Sequence, residues 1–349
     1  MQQHPLLVQL ATYKKLLNKK VISIVIIAHV YEPRGHRNNS QLQCSDAERF
    51  SIEEFNEIYQ GIVLSGCYVH RVFFNEIDFI EDYLRQPSCY RNTLIYNLAR
   101  NGYGDNKKTL IPSFCELTGL QYSTSSSLSC ALCRNKFYFS SLLTAAGIPV
   151  PKTRRIDDLI NHTQDGSLFC DTVIAKPCSE SASQGISGNN IIKYSYEAIK
   201  TYEGKDYVLQ EYIDGIECEV PIIAFPDNVI ALPPVGIQLG NKHIMDEDAS
   251  SNYEYSFFPL AQLYSNDKIT EIMDYAVRAF RTLGMEVYGR IDFRISKDGT
   301  PYVFDVSTTP YTILHSSFAY AFELLGFDYP SVYEAIIVAA NARRSSSNG

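Results

Sequence analysis

Two carboxylates, an arginine and a serine fall where they could act together. In Tyr288-Gly-Arg-Ile-Asp-Phe-Arg-Ile-Ser-Lys-Asp-Gly-Thr-Pro-Tyr-Val-Phe-Asp-Val-Ser-Thr-Thr-Pro310, two apolar-rich runs flank Asp298-Gly299. That dipeptide favours a tight hairpin turn because both positions tolerate positive φ. Pairing the runs about it sets Asp292 opposite Asp305 and Arg290 opposite Ser307, all on one face of the ribbon. Two facing carboxylates repel by ~3 kcal/mol at ~5 Å and an effective dielectric of ~20. A divalent cation bridging to phosphate oxygens would remove that cost, which makes Asp292 and Asp305 candidate magnesium ligands. Arg290 could then stabilise negative charge that develops during acyl or phosphoryl transfer. The alternative is a surface ladder of ion pairs, since Arg290 and Arg294 alternate with the acids.

A second candidate is Asp171-Thr-Val-Ile-Ala-Lys-Pro177, a strand ending in Lys176, which runs into the small-residue loop Cys178–Gly188. An ammonium at a strand end beside an open Gly/Ser loop suits phosphate. The chain holds no G-x-x-x-x-G-K-[ST] loop, and taken alone the pattern is common in loops that bind nothing. Gln210, on the strand Tyr207–Ile213, could show its amide to an adenine edge, and Glu217 could accept from ribose hydroxyls; a hinge strand with solvated carboxylates is the simpler reading of these two. Cys130-Ala-Leu-Cys133 has a metal or redox spacing, but no second pair or nearby histidine completes a site, so two small helix residues explain it better.

These residues need elements to hold them. Val21–Ile27 reads as a strand buried on both faces of a parallel sheet. A helix over 46–66, a strand at Tyr68–Phe74, a helix over 76–85 and a strand at Thr93–Leu98 follow, an alternation that implies an open α/β unit. Leu6, Leu10, Leu16 and Leu17 suit a short amphipathic helix ahead of it. Asn135–Ala146 predicts a helix ending at Gly147. Beyond it come strands at Asn190–Lys193, Glu217–Ala224 and Val229–Leu232, a polar loop over 240–255, a helix over 267–283, the hairpin and one C-terminal helix. Ser123–Ser129 and the tail Ser345–Gly349 are low in complexity.

The 349 residues, with net charge −8, argue against a chain built to bind nucleic acid or anionic lipid. No apolar run approaches the ~20 residues that cross a bilayer. Nine cysteines without a framework spacing fit reduced thiols. With no signal-like N-terminus, a cytoplasmic location is expected.

Five segments resemble the ATP-grasp superfamily, and within it the D-alanine–D-alanine ligases. They are Thr118-Gly-Leu-Gln-Tyr-Ser with the helix to Lys136; Ala145-Ala-Gly-Ile-Pro-Val-Pro; Val173-Ile-Ala-Lys-Pro; Val208-Leu-Gln-Glu-Tyr-Ile-Asp-Gly-Ile-Glu; and Gly289-Arg-Ile-Asp-Phe through His315-Ser316. The resemblance implies a fold of mixed α/β and α+β class. This is an ATP-grasp fold with an N-terminal Rossmann-like (pre-ATP-grasp) domain, a small central lid domain and a C-terminal α+β domain. The expected boundaries are an N-terminal helical extension over 1–20, domains over 21–127, 128–211 and 212–345, and a tail over 346–349. It also implies ATP and two magnesium ions, or manganese in their place.

Carried across by position, Lys136 and Lys176 match lysines that hold ATP phosphates, and Glu217 matches the ribose-binding glutamate. Gln210 stands at an adenine-contacting acid, and Glu180, Ser183, Glu211 and Ile213 fall at further nucleotide-binding positions. Arg290 matches an arginine that steadies the acyl phosphate and the tetrahedral intermediate. Asp292, Asp305 and Ser307 fall at the metal ligands, with Ser307 in place of asparagine. Ser316 matches the serine that receives the second substrate's carboxylate.

The departures concern substrate. The loop after the third strand reads Leu98-Ala-Arg-Asn-Gly-Tyr-Gly-Asp-Asn106, without the family's histidine. The first strand leads to Ala28-His-Val-Tyr-Glu-Pro rather than to the acid-bearing motif that grips an ammonium. Ala182 replaces a serine, and the ω-loop lysine is absent, with Lys242 a nearby stand-in. Tyr311 replaces a glycine beside the intermediate. The expectation is an ATP-dependent, ADP-forming carboxylate–amine ligase that works through an acyl phosphate on substrates other than a D-alanine pair. Its partners would be amino-acid or small carboxylate and amine substrates and a second copy in a homodimer, with no nucleic acid and no membrane. A genuine D-alanine–D-alanine ligase and a catalytically reduced ATP-binding sensor or partner protein remain open as alternatives.

Overall fold

The β-branched run near the N-terminus forms β1 (Ser23–Ala28), fully buried from Ile24 onward. The computed structural model describes residues 4–17, 22–30, 48–102, 104–161 and 171–346. The Tyr31-Glu32-Pro33 end of the first-strand motif, the head of the helix expected from 46 and the last residues of the tail lie outside the described residues. Strand β1 pairs in parallel with β2 (Tyr68–Phe73) and β3 (Thr93–Leu98), and β4 (Gln121–Tyr122) continues the sheet beside β3. Parallel neighbours need crossovers. Helices α2 (Ile52–Leu64), α3 (Glu76–Arg85) and α4 (Leu110–Thr118) supply them, behind the N-terminal α1 (Pro5–Leu17).

Helix α2 starts later than its hydrophobic pattern suggested. Ser51 caps it, accepting from the Glu54 N–H (3.1 Å), while the Glu54 carboxylate accepts from the Ser51 N–H (2.6 Å). Helix α4 has no counterpart in the sequence reading. The low-complexity run Ser123–Ser129 proves to be built structure: Ser123, Thr124 and Ser125 are fully buried. Ser123 Oγ accepts from the Asn97 N–H (3.0 Å), and Ser126 caps α5 (Ser127–Arg134). Short hydroxyl side chains here satisfy buried backbone groups that would otherwise be orphaned.

A second sheet follows α6 (Lys136–Ala145). It runs β5-β8-β6-β7, all antiparallel, from β5 (Thr153–Arg155), β6 (Thr172–Pro177), β7 (Ile191–Lys193) and β8 (Tyr207–Glu211), with α7 (Ile156–Asn161) and α8 (Tyr196–Lys200) beside it. Three residues, Tyr212–Asp214, then carry the chain into β9 (Gly215–Ala224) of a third sheet. There β10 (Val229–Ala231), β11 (Val235–Gln238), β12 (Ser256–Pro259), β13 (Tyr288–Ser296) and β14 (Pro301–Ser307) join it in the order β12-β11-β9-β13-β14, with β10 on β9. The stretch expected as a polar loop over 240–255 contains α9 (Glu247–Ser251), capped by Asp246 accepting from the Ala249 N–H (2.8 Å). Helix α10 (Asn266–Thr282) covers the third sheet. The single C-terminal helix is two, α11 (Ser317–Leu324) and α12 (Pro330–Ser346), parted at Gly326, whose φ is +79°.

Helix α12 ties the first and third sheets together. Its Tyr333 is fully buried against α2, and a Cβ on Gly61 would stand 2.2 Å from the Tyr333 ring. Only glycine lets the two helices approach this closely.

The hairpin keeps the expected facing pairs by an unexpected route. Ser296 N–H donates to Thr300 O (3.0 Å), so the loop is one residue longer than the Asp298-Gly299 turn. A bulge at Phe304 then offsets the shift: Phe293 pairs with Val303, yet Asp292 pairs with Asp305 and Arg290 with Ser307. Without it Asp305 would point away from Asp292. No described helix is long and apolar enough to cross a membrane.

Candidate active site

One cleft, walled by the second and third sheets and by the loop after β3, gathers twelve of the thirteen residues singled out from the sequence. Lys136, Lys176, Glu180, Ser183, Gln210, Glu211, Ile213, Glu217, Arg290, Asp292, Asp305 and Ser307 all line it. Ser316 does not. It caps α11, accepting from the Ala319 N–H (3.2 Å) and donating to Ile313 O (2.6 Å), so its hydroxyl is engaged on both sides.

The two lysines come from different elements. Lys176, near the end of β6, is buried and donates to Gln210 Oε1 (2.7 Å), while Gln210 Nε2 donates to Thr153 Oγ1 (3.1 Å). Burial lowers the Lys176 pKa to about 8 against the opposing pull of Asp305. Lys136 opens α6 just after Asn135, whose side chain caps that helix and donates to the Asp105 carboxylate (2.9 and 3.0 Å). Its ammonium donates to Glu180 O (2.6 Å), and burial lowers its pKa too. The Glu180 carboxylate turns from the lysine pair to Lys107 (2.7 Å) and Arg134 (3.4 Å). Ser183 and Ala182 both hold positive φ, +55° and +53°, in the loop above.

At the hinge, Arg294 stacks over the Tyr212 ring (5.2 Å) and pairs with Glu217 (3.4 Å). Burial raises the Glu217 pKa, and Arg294 and Lys176 oppose it.

The hairpin acids sit in a more crowded place than the sequence implied. Arg290 binds Asp292 with two hydrogen bonds, Nε to Oδ1 (2.7 Å) and Nη2 to Oδ2 (2.8 Å), and reaches Glu219 (3.0 Å). Glu219 lies opposite Asp292 on the neighbouring β9. Burial, with Glu219 and Asp305 adding to it, pushes the Asp292 carboxyl above the usual carboxylate range, and Arg290 pulls the other way. Glu219 was not anticipated, although Glu217-Cys218-Glu219 on a strand must place both acids on one face. Among the described residues no three His, Cys, Asp or Glu side chains gather tightly enough to hold a metal ion unaided. Asp292, Asp305 and the Ser307 hydroxyl do offer hard oxygen donors. That suits magnesium, which is usually held by one or two carboxylates together with waters and phosphate oxygens.

The part of the cleft beside the loop after β3 has little signal in the sequence. Arg100 and Lys108, from the loop after β3, line it together with Tyr311 and Tyr255. Gly102 makes that loop possible: its φ is +127°, and a Cβ there would stand 2.7 Å from Lys107 Cα. His29 anchors it, for its Nδ1 accepts from the Arg100 N–H (2.9 Å), leaving Nε2 to donate to Glu76 (2.8 Å). Behind lies Glu48, fully buried. Burial alone would raise its pKa, but Lys108, Arg134 and Lys107 hold it down at about 2. Lys242 pairs with Asp246 (2.8 Å) and Glu254 (3.3 Å) and does not line the cleft. Cys130 and Cys133 are buried thiols with raised pKa values and no metal-binding neighbours among the described residues.

A family profile described as D-ala D-ala ligase C-terminus matches residues 142–338, more than half of the chain. The chain belongs to that family. Among curated relatives it is 26% identical over 273 residues to the uncharacterized protein y4sG of Sinorhizobium fredii, covering 75% of this chain and 79% of that protein. It is 28% identical over 236 residues to the D-alanine–D-alanine ligase of a Marinomonas species, covering 67% and 73%. Two solved structures share its fold at lower identity. The D-alanine–D-alanine ligase of Bacillus anthracis complexed with ATP superposes with a TM-score of 0.69 at 19% identity, over 94% of this chain and 99% of that one. The VanG D-Ala:D-Ser ligase of Enterococcus faecalis gives 0.66 at 16%, over 92% and 100%. The D-ala D-ala ligase family member described here thus has the ATP-grasp architecture, with its cleft where the three sheets meet.

Proposed function

We propose that this protein is an ATP-dependent, ADP-forming carboxylate–amine ligase that makes an amide through an acyl phosphate, on substrates other than a D-alanine pair. The observation that carries the reading is the convergence of two buried lysines, a doubly held arginine and two facing aspartates in one cleft. In this reading Lys136 and Lys176 hold the phosphates of ATP. Gln210, Glu211, Ile213 and Glu217 flank the nucleoside, and Glu180 and Ser183 belong to the loop that closes over it. Asp292, Asp305 and Ser307 would hold magnesium, which when bound neutralises phosphate charge. Arg290 orients the acceptor carboxylate and stabilises charge as the amine attacks. Ser316 contributes through the N-terminus of α11. Little covalent help is needed, since positioning and charge neutralisation dominate such transfers.

The same reading takes the three sheets to mark domains over 21–127, 128–211 and 212–345, and the active species to be a homodimer, which light scattering checks. Coupled ADP release with Mg·ATP and pooled amino acids and small acids, followed by mass spectrometry, tests the activity. A new amide that appears with stoichiometric ADP supports it; ATP binding without ADP release from any pool sinks it. The curated relatives' name supports a second reading, D-alanine–D-alanine ligation. A dipeptide made from D-alanine alone would establish that one and remove the claim of other substrates.

A further inference from the structure

Among the described residues, the cations at the Tyr311 end of the cleft outnumber their acids. Arg100 is 3% exposed and Lys108 8%. Among the described residues, Arg100 Nη2 reaches only the Thr309 carbonyl (3.4 Å), and its Nε has no hydrogen-bond partner. Its guanidinium lies 4.4 Å from the Phe50 ring centre and 4.7 Å from that of Tyr311. Among the described residues the Lys108 ammonium makes no ion pair or hydrogen bond. Glu48 attracts Lys108 without pairing with it, since its carboxylate is held directly by Arg134 (2.7 Å) and Lys107 (3.7 Å), and Glu180 is shared by the same two.

A buried cation without a partner is costly, so a chain that keeps two side by side at a cleft wall has a use for them. The aromatic contacts support this. The Tyr311 ring, absent in the resembled family, is one of two faces that hold the Arg100 guanidinium in place. The acids of the cleft on β9 and β13, Glu219 and Asp292, are occupied by Arg290. An ammonium brought to this end would meet two like charges, whereas an anion would meet two buried donors.

We infer that Arg100 and Lys108 form a subsite for a second anionic group, a carboxylate or a phosphate, on the acid that this ligase activates. Activation of that acid rests on the ligase reading, whereas binding at the subsite is measured on its own. Glutarate, 3-phosphonopropionate, butyrate and D-alanine are titrated calorimetrically into the full chain with Mg·ADP bound. At least one dianion should bind tenfold or more tighter than butyrate and D-alanine, and which dianion does so separates a carboxylate from a phosphate preference.

Lys108→Met and Arg100→Gln should each shrink the advantage to threefold or less, while Lys108→Arg keeps it. Should Arg100→Gln fail to fold, Lys108→Met decides. Butyrate or D-alanine binding as tightly as both dianions overturns the subsite, as does a folded Lys108→Met that retains the preference. ADP release is measured separately. A dianion preference without turnover on any amine leaves the subsite standing and removes the ligase reading. A D-alanine pair joined without any dianion preference does the reverse.

Discussion

The two ends of the cleft solve opposite electrostatic problems. At the hairpin end, acids are in excess: Asp292, Asp305 and Glu219 surround one arginine, and burial drives the Asp292 pKa up. At the Tyr311 end, cations are in excess, and burial drives the Lys108 pKa down to about 7. In both, like charges are held together in a place with little water, which a folded chain does at a cost unless something of opposite sign arrives. In the proposed function, the hairpin end takes a cation and the tyrosine end an anion.

The largest effects should come from the hairpin end. Asp305→Asn and Arg290→Ala are expected to lower Mg·ATP turnover by about 10²–10³-fold, the scale of losing one charge-stabilising group. ATP affinity, read by calorimetry, should stay within a few-fold for Arg290→Ala. Unchanged turnover in either variant would break the proposed division of roles.

Next in size is Glu219→Gln. It keeps an acceptor for Arg290 but removes the charge that pairs with it, and a drop of roughly 10–100-fold in kcat with little change in KM is expected if the Glu219 charge sets the arginine's pose. A change confined to KM would instead place Glu219 on a substrate.

How far these residues could be read from the chain depends on what positions them. Asp292, Asp305 and Arg290 were legible because strand alternation is a local rule, although the facing pairs survive only because a longer loop and the Phe304 bulge cancel. No local pattern announces such a cancellation. The Lys176 strand, and most helices, followed from hydrophobic period and caps in the same way. Arg100, Lys108 and Glu48 were not legible. They meet only because the loop after β3, folded at Gly102 and pinned by His29, is carried against the turn after β14, far away in sequence. Ser123–Ser125 were not legible either: a low-complexity composition gives no pattern to read, and their burial is tertiary.

A smaller effect isolates the aromatic shelf. Tyr311→Gly removes one of the two rings against Arg100, and the dianion's advantage over butyrate should fall by about fivefold, in line with a cation–π contact of ~1 kcal/mol. Tyr311→Phe should keep it. If glycine leaves the advantage intact, the ring shapes the pocket but does not hold the guanidinium.

The smallest effect is a pH dependence whose sign separates the two ends. Lys108 faces Arg100 and Arg134, which lower its pKa, and Glu48 and the Cys130 thiol, which raise it; burial dominates and leaves it at about 7, far below its ordinary 10.5. An anion bound beside it favours the ammonium, so dianion affinity should be highest below that value and decline as pH rises through it. For glutarate, whose carboxylates stay ionised across this range, the fall should be about threefold between pH ~6.5 and ~7.5, since one lysine proton is linked. The same shift affects folding. A lysine whose folded pKa lies below its unfolded one opposes folding fully below pH 7, and the penalty is relieved as pH climbs from about 7 towards 10.5. Loss of the pH slope in Lys108→Arg, with affinity kept, would assign the proton to this lysine. A slope that survives the substitution would move it elsewhere and leave Lys108 as a neighbour of the anion rather than its partner.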